Sequence, residues 1–442
     1  MRLGRRLESA TLAVLAGTIV IVACSSSWSV GLRNIAHPLR TTALVILCVL
    51  GVAYAAQARR LPRPGAHHAL AAALLVLAAL SMTWSVDPRH TVVRAGAFGL
   101  VVVTAAAIGA RAAQEERESR LVLNAVLAGA VAVALIGFAI YAVSPGDAVQ
   151  AATATTGARY RGVGQSPDTV AMLFAVALPI AGLLVCEAAT RLRRVAGLAA
   201  FALLAGSIAM SDSRGALAAA VVGLLLAGWL ATRRLRRRAW VLVAVAGLAA
   251  LLAALGSLPR PLSAPAAAHA KNPSANVEPY TPNDAQYRLR LEDEVGYRSG
   301  SHAPVGRLLS GSGRLEAWKG AIGQGEDRPV LGYGFGTEAT VFVDRYQDFQ
   351  GGVPENSFIG LFLQLGLVGV ALLCALFAAL GLFVARGLRD DRNLAAACAG
   401  VLGATLTLSL VQSYVYAFGN VATLAVWTAV FVGASKSGLR SV

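Results

Sequence analysis

Charge is scarce in this 442-residue chain: Asp, Glu, Lys and Arg make up 14% of it, where a soluble protein carries roughly a quarter. Acids are the scarcer sign, 23 against 39 Lys and Arg. Cysteine is sparse as well. Cys24, Cys48, Cys186, Cys374 and Cys398 all lie in or beside apolar runs, which argues against a disulfide-stapled secreted fold. Six scattered histidines, with only His67 and His68 adjacent, give no Cys/His ligand spacing. No metal and no cofactor is therefore expected.

What the chain has instead is hydrocarbon: 56% of its residues are hydrophobic and mean hydropathy is +0.62. Apolar runs near the ~20 residues needed to cross ~30 Å of bilayer recur throughout. The pattern predicts an all-α polytopic membrane protein of about 12 transmembrane helices. They are placed at 9–27, 41–57, 67–84, 92–110, 121–143, 167–186, 194–211, 214–232, 239–257, 357–385, 393–413 and 419–435. The first run ends in Cys24 to Trp28 (CSSSW) without a small-x-small cleavage site, so it reads as a retained span rather than a signal peptide.

The net charge of +16 raises the question of nucleic acid, and its distribution answers it. Alternate connectors hold 22 of the 39 cations against seven acids, or +15, whereas the other side holds 17 cations and 16 acids, or +1. A surplus confined to one face is the positive-inside signature of a membrane protein. It predicts a multi-pass membrane protein with both termini cytoplasmic and no nucleic-acid partner. Three regions follow: 1–258 with helices one to nine, 259–354 as a large extracytoplasmic loop with short helices, and 355–442 with helices ten to twelve. In the loop, six prolines between 257 and 283 (Pro259, Pro261, Pro265, Pro273, Pro279 and Pro282) predict an extended connector. The pattern from 287 to 323 is helical, Gly332 to Gly336 (GYGFG) reads as a flexible turn, and Phe342, Tyr346 and Phe349 form an aromatic stretch.

Four groups of residues at that outer rim carry chemistry. In SDSRG (211–215), Arg214 opens an otherwise charge-free span; its planar fork suits a phosphate, and a snorkelling arginine beside a Ser/Asp cap is the plain alternative. In GRLEAW (313–318), Arg314 and Trp318 lie one helical turn apart, so an indole and a guanidinium share a face for a sugar and an anion. The plain alternative is an arginine stacked on its own tryptophan. In PENSF (354–358), Glu355 and Asn356 stand where the chain re-enters the membrane, and a carboxylate there can accept a proton from an attacking hydroxyl. A simple acidic helix start competes with that reading. Arg159, Arg161 and Asp168 in RYRGVGQSPD form a fourth group, for which loop solvation is the simpler account. Together these segments predict an outward-facing cationic pocket for a lipid-linked phosphate or pyrophosphate.

The ordered set SRGAL, GRLEAW with PVLGYGFG, and ENSFIGLFLQLGLVG resembles the O-antigen ligase and O-antigen polymerase superfamily of bacterial membrane glycosyltransferases. The resemblance covers about 160–385; the first four spans match in hydropathy alone. It implies transfer of a glycan from an undecaprenyl-diphosphate carrier to an acceptor hydroxyl, without metal, at the outer face of the inner membrane. Its expected partners are that lipid-linked donor, a glycan or lipid-glycan acceptor, membrane lipid and polysaccharide-export proteins. By motif position Arg214 and Arg314 take the diphosphate role. Glu355 stands where the ligases carry His, and Asp168 stands where the family carries Asn.

The leading expectation is an inverting polymerase or ligase, polymerase slightly favoured because that His is missing. Its catalytic residues are Glu355, Arg214 and Arg314, and its substrate-binding residues are Asn356, Arg161 and Trp318. A transporter or flippase of a lipid-linked glycan or anionic solute is the rival, recognisable by polar or interrupted helices at the midplane. A cell-wall polymerase with a catalytic Asp in its large loop is a third reading, with Asp284, Asp293 and Asp344 available.

Overall fold

The computed structural model describes residues 2–58, 64–151, 158–232, 314–342 and 353–436. In chain order the helices are α1 (Arg2–Ser25), α2 (Val30–Ala56), α3 (Ala66–Leu80), α4 (Pro88–Ala112), α5 (Glu116–Val143), α6 (Pro145–Ala148), α7 (Pro167–Glu187), α8 (Arg191–Ser211) and α9 (Arg214–Leu230). After residue 313 come α10 (Arg314–Gly325), α11 (Glu338–Val341), α12 (Ser357–Gly387), α13 (Arg392–Ser409) and α14 (Thr423–Ser435). Among the described residues the one sheet is a two-stranded antiparallel pair, Val149–Gln150 with Arg159–Tyr160. The chain is an all-α polytopic membrane protein. Among the described residues eight helices are long and apolar enough to span a bilayer, and α9 and α14 are shorter apolar helices. The expected span at 239–257, most of the loop at 259–354 and Asp284, Asp293 and Asp344 lie outside the described residues.

Two boundaries differ from expectation. α2 begins at Val30 and carries Arg33, His37, Pro38 and Arg40 within it, so the helix starts well before the apolar run does. Conversely, 410–422 is not helical, although the apolar pattern extends into it from both sides. Its Tyr414, Val415, Tyr416 and Phe418 are buried, and β-branched and aromatic residues do not demand a helix.

The bundle has an inside and a lipid side. α7, α13 and α14 are its centre, and every residue from Thr423 to Ser435 is buried. Val45, Val49 and Val52 on α2 and Leu192, Val195 and Leu198 on α8 form exposed apolar stripes, stable only against hydrocarbon. Small residues let the central helices touch. A Cβ on Gly223 would lie 2.7 Å from the Gly400 carbonyl oxygen, so α9 and α13 cross backbone to backbone.

The ends are chemically distinct. At one, Arg120 pairs with Glu116, Glu187 and Asp391, and Lys436 also reaches Asp391. At the other, Trp84 of the α3–α4 connector meets Leu331 and Leu410 of the α13–α14 connector meets Asn356, while the α5–α7 connector contacts the α1–α2 and α8–α9 connectors.

Helix α12 is broken. Gly366 has φ +62° and ψ −162°, and residues 329–334 fill the break. Leu367 N donates to Pro329 O at 2.8 Å, Tyr333 N to Leu363 O at 2.9 Å and Gly334 N to Gln364 O at 2.8 Å. The protein thus satisfies the backbone groups that the kink frees, as a membrane interior requires. GYGFG is accordingly a packed wedge rather than a flexible turn: a Cβ on Gly332 would strike the backbone of Leu363 and Gln364.

Candidate active site

Helix α10 starts at Arg314 and packs Ala317 and Ala321 against Leu363 of α12. Its other face meets one dipeptide. The Arg314 guanidinium donates to Glu355 Oε2 from Nε at 2.9 Å and from Nη2 at 2.6 Å, and the Trp318 indole N–H donates to Pro354 O at 2.7 Å. Helical spacing thus aims both side chains of GRLEAW at PENSF. The arginine lies on the glutamate and not on its own tryptophan.

Glu355 is held in the left-handed region, φ +49°. Asn356 then caps α12, its Oδ1 accepting from Phe358 N at 3.0 Å and Ile359 N at 3.2 Å. The 410–413 turn supports this start: Asn356 Nδ2 donates to Leu410 O, Asn356 N to Ser413 Oγ, and Ser357 Oγ to Gln412 O. Burial pushes the Glu355 carboxyl above the usual range, and Arg314 opposes that rise.

The SDSRG turn reaches the same place by two routes. Arg159 donates to Ser211 O at 3.0 Å and Asp212 O at 3.3 Å, and pairs with Asp168 at 3.1 Å. Asp168 and Arg159 are both close enough to act on the Glu355 carboxyl. Second, Gly215 lies against Val411, where a Cβ would come within 2.8 Å of a methyl group, next to the turn that carries Asn356. Arg214, the exposed first residue of α9, sits between these two contacts. Asp212 has φ +51°. Among the described residues it and Glu355 are the two non-glycine residues with positive φ, and both belong to this site. Strain of about 1–3 kcal/mol per such residue persists only where the surroundings over-determine it.

Arg161 behaves differently. It is 5% exposed, donates to Asp147 O at 2.9 Å and Gly146 O at 2.8 Å, and lies over the Trp28 ring at 4.1 Å. Burial lowers its guanidinium to about 10. Its donors are turned to the α5–α7 connector, while Arg159 faces the site; side-chain direction two residues apart cannot be read in a loop.

A second carboxyl was missed. Glu338 is buried beneath α12, its Oε1 accepting from Ser413 Oγ at 2.6 Å and its Oε2 from Tyr416 OH and Gln364 Nε2, each at 3.1 Å. Burial raises it to about 7 against the hydroxyl donors and Arg94. A lone acid in a loop has no spacing partner, so nothing in the sequence marks it. Among the described residues no group of three His, Cys, Asp or Glu is gathered to hold a metal ion.

The arrangement offers a carboxylate, three arginine-bearing segments and an indole at one rim of the bundle. No curated protein sequence matches the chain. A family model described as O-antigen ligase matches residues 199–374, which begin in α8 and end in α12 and so include the SDSRG, GRLEAW and PENSF motifs. Over that part of its length the chain is similar to the O-antigen ligase family, which supports a place in the O-antigen ligase and polymerase superfamily.

Proposed function

We propose that the protein transfers a glycan from a polyprenyl-diphosphate carrier to an acceptor hydroxyl at the outer face of the bacterial cytoplasmic membrane. The family supplies the general class, a membrane glycosyltransferase acting on a lipid-linked donor and an acceptor. The observation that carries the finer reading is the meeting of Arg314 with Glu355 beside the Arg159–Asp168 pair and the turn leading to Arg214.

In this reading the acceptor oxygen attacks the anomeric carbon from the face opposite the carrier, and the bond to the carrier phosphate breaks with inversion. The bonding electrons leave on the polyprenyl diphosphate. Glu355 takes the hydroxyl proton and passes it to water. Arg214 and Arg314 neutralise the charge that develops on the departing diphosphate, a task fixed cations perform without a metal. Asn356 holds the base through its cap, and Trp318 offers a sugar platform at the edge of the Pro354 turn. Arg161 supports the wall and takes no part in binding. The Arg-rich end of the bundle, with both chain termini, then lies in the cytoplasm.

Polymerase is slightly favoured over ligase, because Glu355 occupies the ligase His position. One observation supports the transport alternative: α12 is interrupted at Gly366, nine residues inside its start, near mid-membrane at 1.5 Å per residue. Residues 329–334 fill that break, however, and pair with its backbone groups, which supports a packed kink over a solute path. Purified protein in liposomes, given an undecaprenyl-diphosphate oligosaccharide, decides among them. Longer carrier-linked chains mean polymerase, transfer to another acceptor means ligase, and carrier movement without a new bond sinks the transferase reading.

A further inference from the structure

We propose that Glu338 is a positioning residue of this site: through Ser413 it fixes the turn that seats Asn356 and holds Glu355 in its left-handed backbone. The proposal rests on the transferase reading for its kinetic part only.

Three segments meet at this carboxylate. Ser413 and Tyr416 come from the 410–422 connector, Gln364 from α12, and Glu338 itself from the loop that follows GYGFG. Gln364 Oε1 in turn accepts from Gly336 N at 2.7 Å, which closes the loop onto the helix. Three donors point at two oxygens, an arrangement suited to a group that only accepts. Because Ser413 gives its hydroxyl hydrogen to Glu338, its lone pairs are free to accept from Asn356 N at 3.1 Å. The order is therefore Glu338, Ser413, Asn356, and then the strained Glu355.

The space for this carboxylate is built into α12. A Cβ at Gly360 would collide with Glu338 Oε1 and the Tyr416 hydroxyl, so a glycine one turn into α12 admits the acid. A buried carboxyl is costly to keep, and a fold needing only a filler would be served by an apolar side chain. The charged or titratable groups that face it are Arg94 on α4, whose Nε meets His90 Nε2 at 3.0 Å, and Tyr416. Glu338 touches no atom of the proposed reacting groups; it acts through Ser413.

The test uses full-length protein reconstituted with undecaprenyl-diphosphate oligosaccharide, comparing wild type with Glu338→Ala, Glu338→Asp and the milder Ser413→Ala. Glu338→Ala and Ser413→Ala are expected to lower kcat by about tenfold to a hundredfold, as for a misplaced catalytic group, with donor KM changing by less than about threefold. Glu338→Asp restores part of the loss. Amide hydrogen exchange should rise at 355–359 and stay unchanged at 370–385. Unchanged exchange at 355–359 with unchanged kcat overturns the proposal. So does exchange that rises along the whole of α12, which would make Glu338 a core residue only. Should wild type transfer no glycan, the function is wrong, while the exchange pattern still decides the place of Glu338.

Discussion

Arg314 holds Glu355 by two nitrogens on a single carboxylate oxygen, at 2.9 and 2.6 Å. The group proposed to receive the leaving diphosphate thus rests on the group proposed to take the proton. A diphosphate that engages the guanidinium competes for the same fork and frees the carboxylate. Arg314 also opposes the upward push of burial on Glu355. Removing it lets that carboxyl rise further, so less of it is ionised at a given pH. Arg314→Gln should therefore move the acid limb of the rate–pH profile to higher pH, besides lowering kcat by about a hundredfold or more. A limb that stays put, measured by initial rates across pH, would disconnect the pair from catalysis.

Glu355→Gln keeps the shape and removes the base. Its kcat should fall by about 10²- to 10⁴-fold, with donor KM little changed, in a single-turnover assay with carrier-linked glycan. Near-normal turnover would remove Glu355 from the chemistry.

Arg159 reaches the α8–α9 turn through two carbonyls and α7 through Asp168. Arg159→Ala should loosen the turn that presents Arg214 and raise donor KM by about tenfold. Asp168→Asn leaves the carbonyl contacts in place and should change KM far less. Equal effects from the two variants, in the same titration of donor, would contradict this assignment.

Glu338 gives stability a pH dependence with a defined sign. Its native carboxyl titrates near 7, above the ordinary 4.5, so the folded protein binds this proton more tightly than the unfolded chain. The contribution is complete below about 4.5, declines as pH rises toward about 7 and is level above that. Thermal unfolding in detergent should follow this slope, and Glu338→Gln should flatten it. A slope unchanged in the variant would assign the effect elsewhere.

Gly366→Ala tests the broken helix. Its φ of +62° disfavours any side chain, and a Cβ there would strike the Val330 backbone. A loss of about 1–3 kcal/mol is expected from the backbone conformation alone, read as a lower unfolding midpoint. Unchanged stability would mean that residues 329–334 do not depend on the kink.

Hydropathy located the long described helices because hydrocarbon demands length and apolarity and little else. It failed where a helix continues through polar residues, as α2 does from Val30 past Arg33 and Arg40. It failed also where an apolar stretch is not helical, as at 410–422. Arg314, Trp318, Glu355 and Asn356 were legible because helical spacing and a helix start fix their directions. Arg159 turns to the α8–α9 turn and Arg161 to Gly146 and Asp147, a difference that two neighbouring arginines in a loop do not show until the connector folds. Glu338 was invisible: its meaning comes wholly from Ser413, Tyr416 and Gln364, 75, 78 and 26 residues away.

Asn356 takes its seat on Leu410 and Ser413, behind which stand α13 and α14. During synthesis every arginine of the rim emerges from the ribosome earlier than that support. A nascent chain halted after α12 would meet carrier lipid with its cations ready and its carboxylate unseated. In the proposed reaction the base is therefore seated only once α13 and α14 are in place.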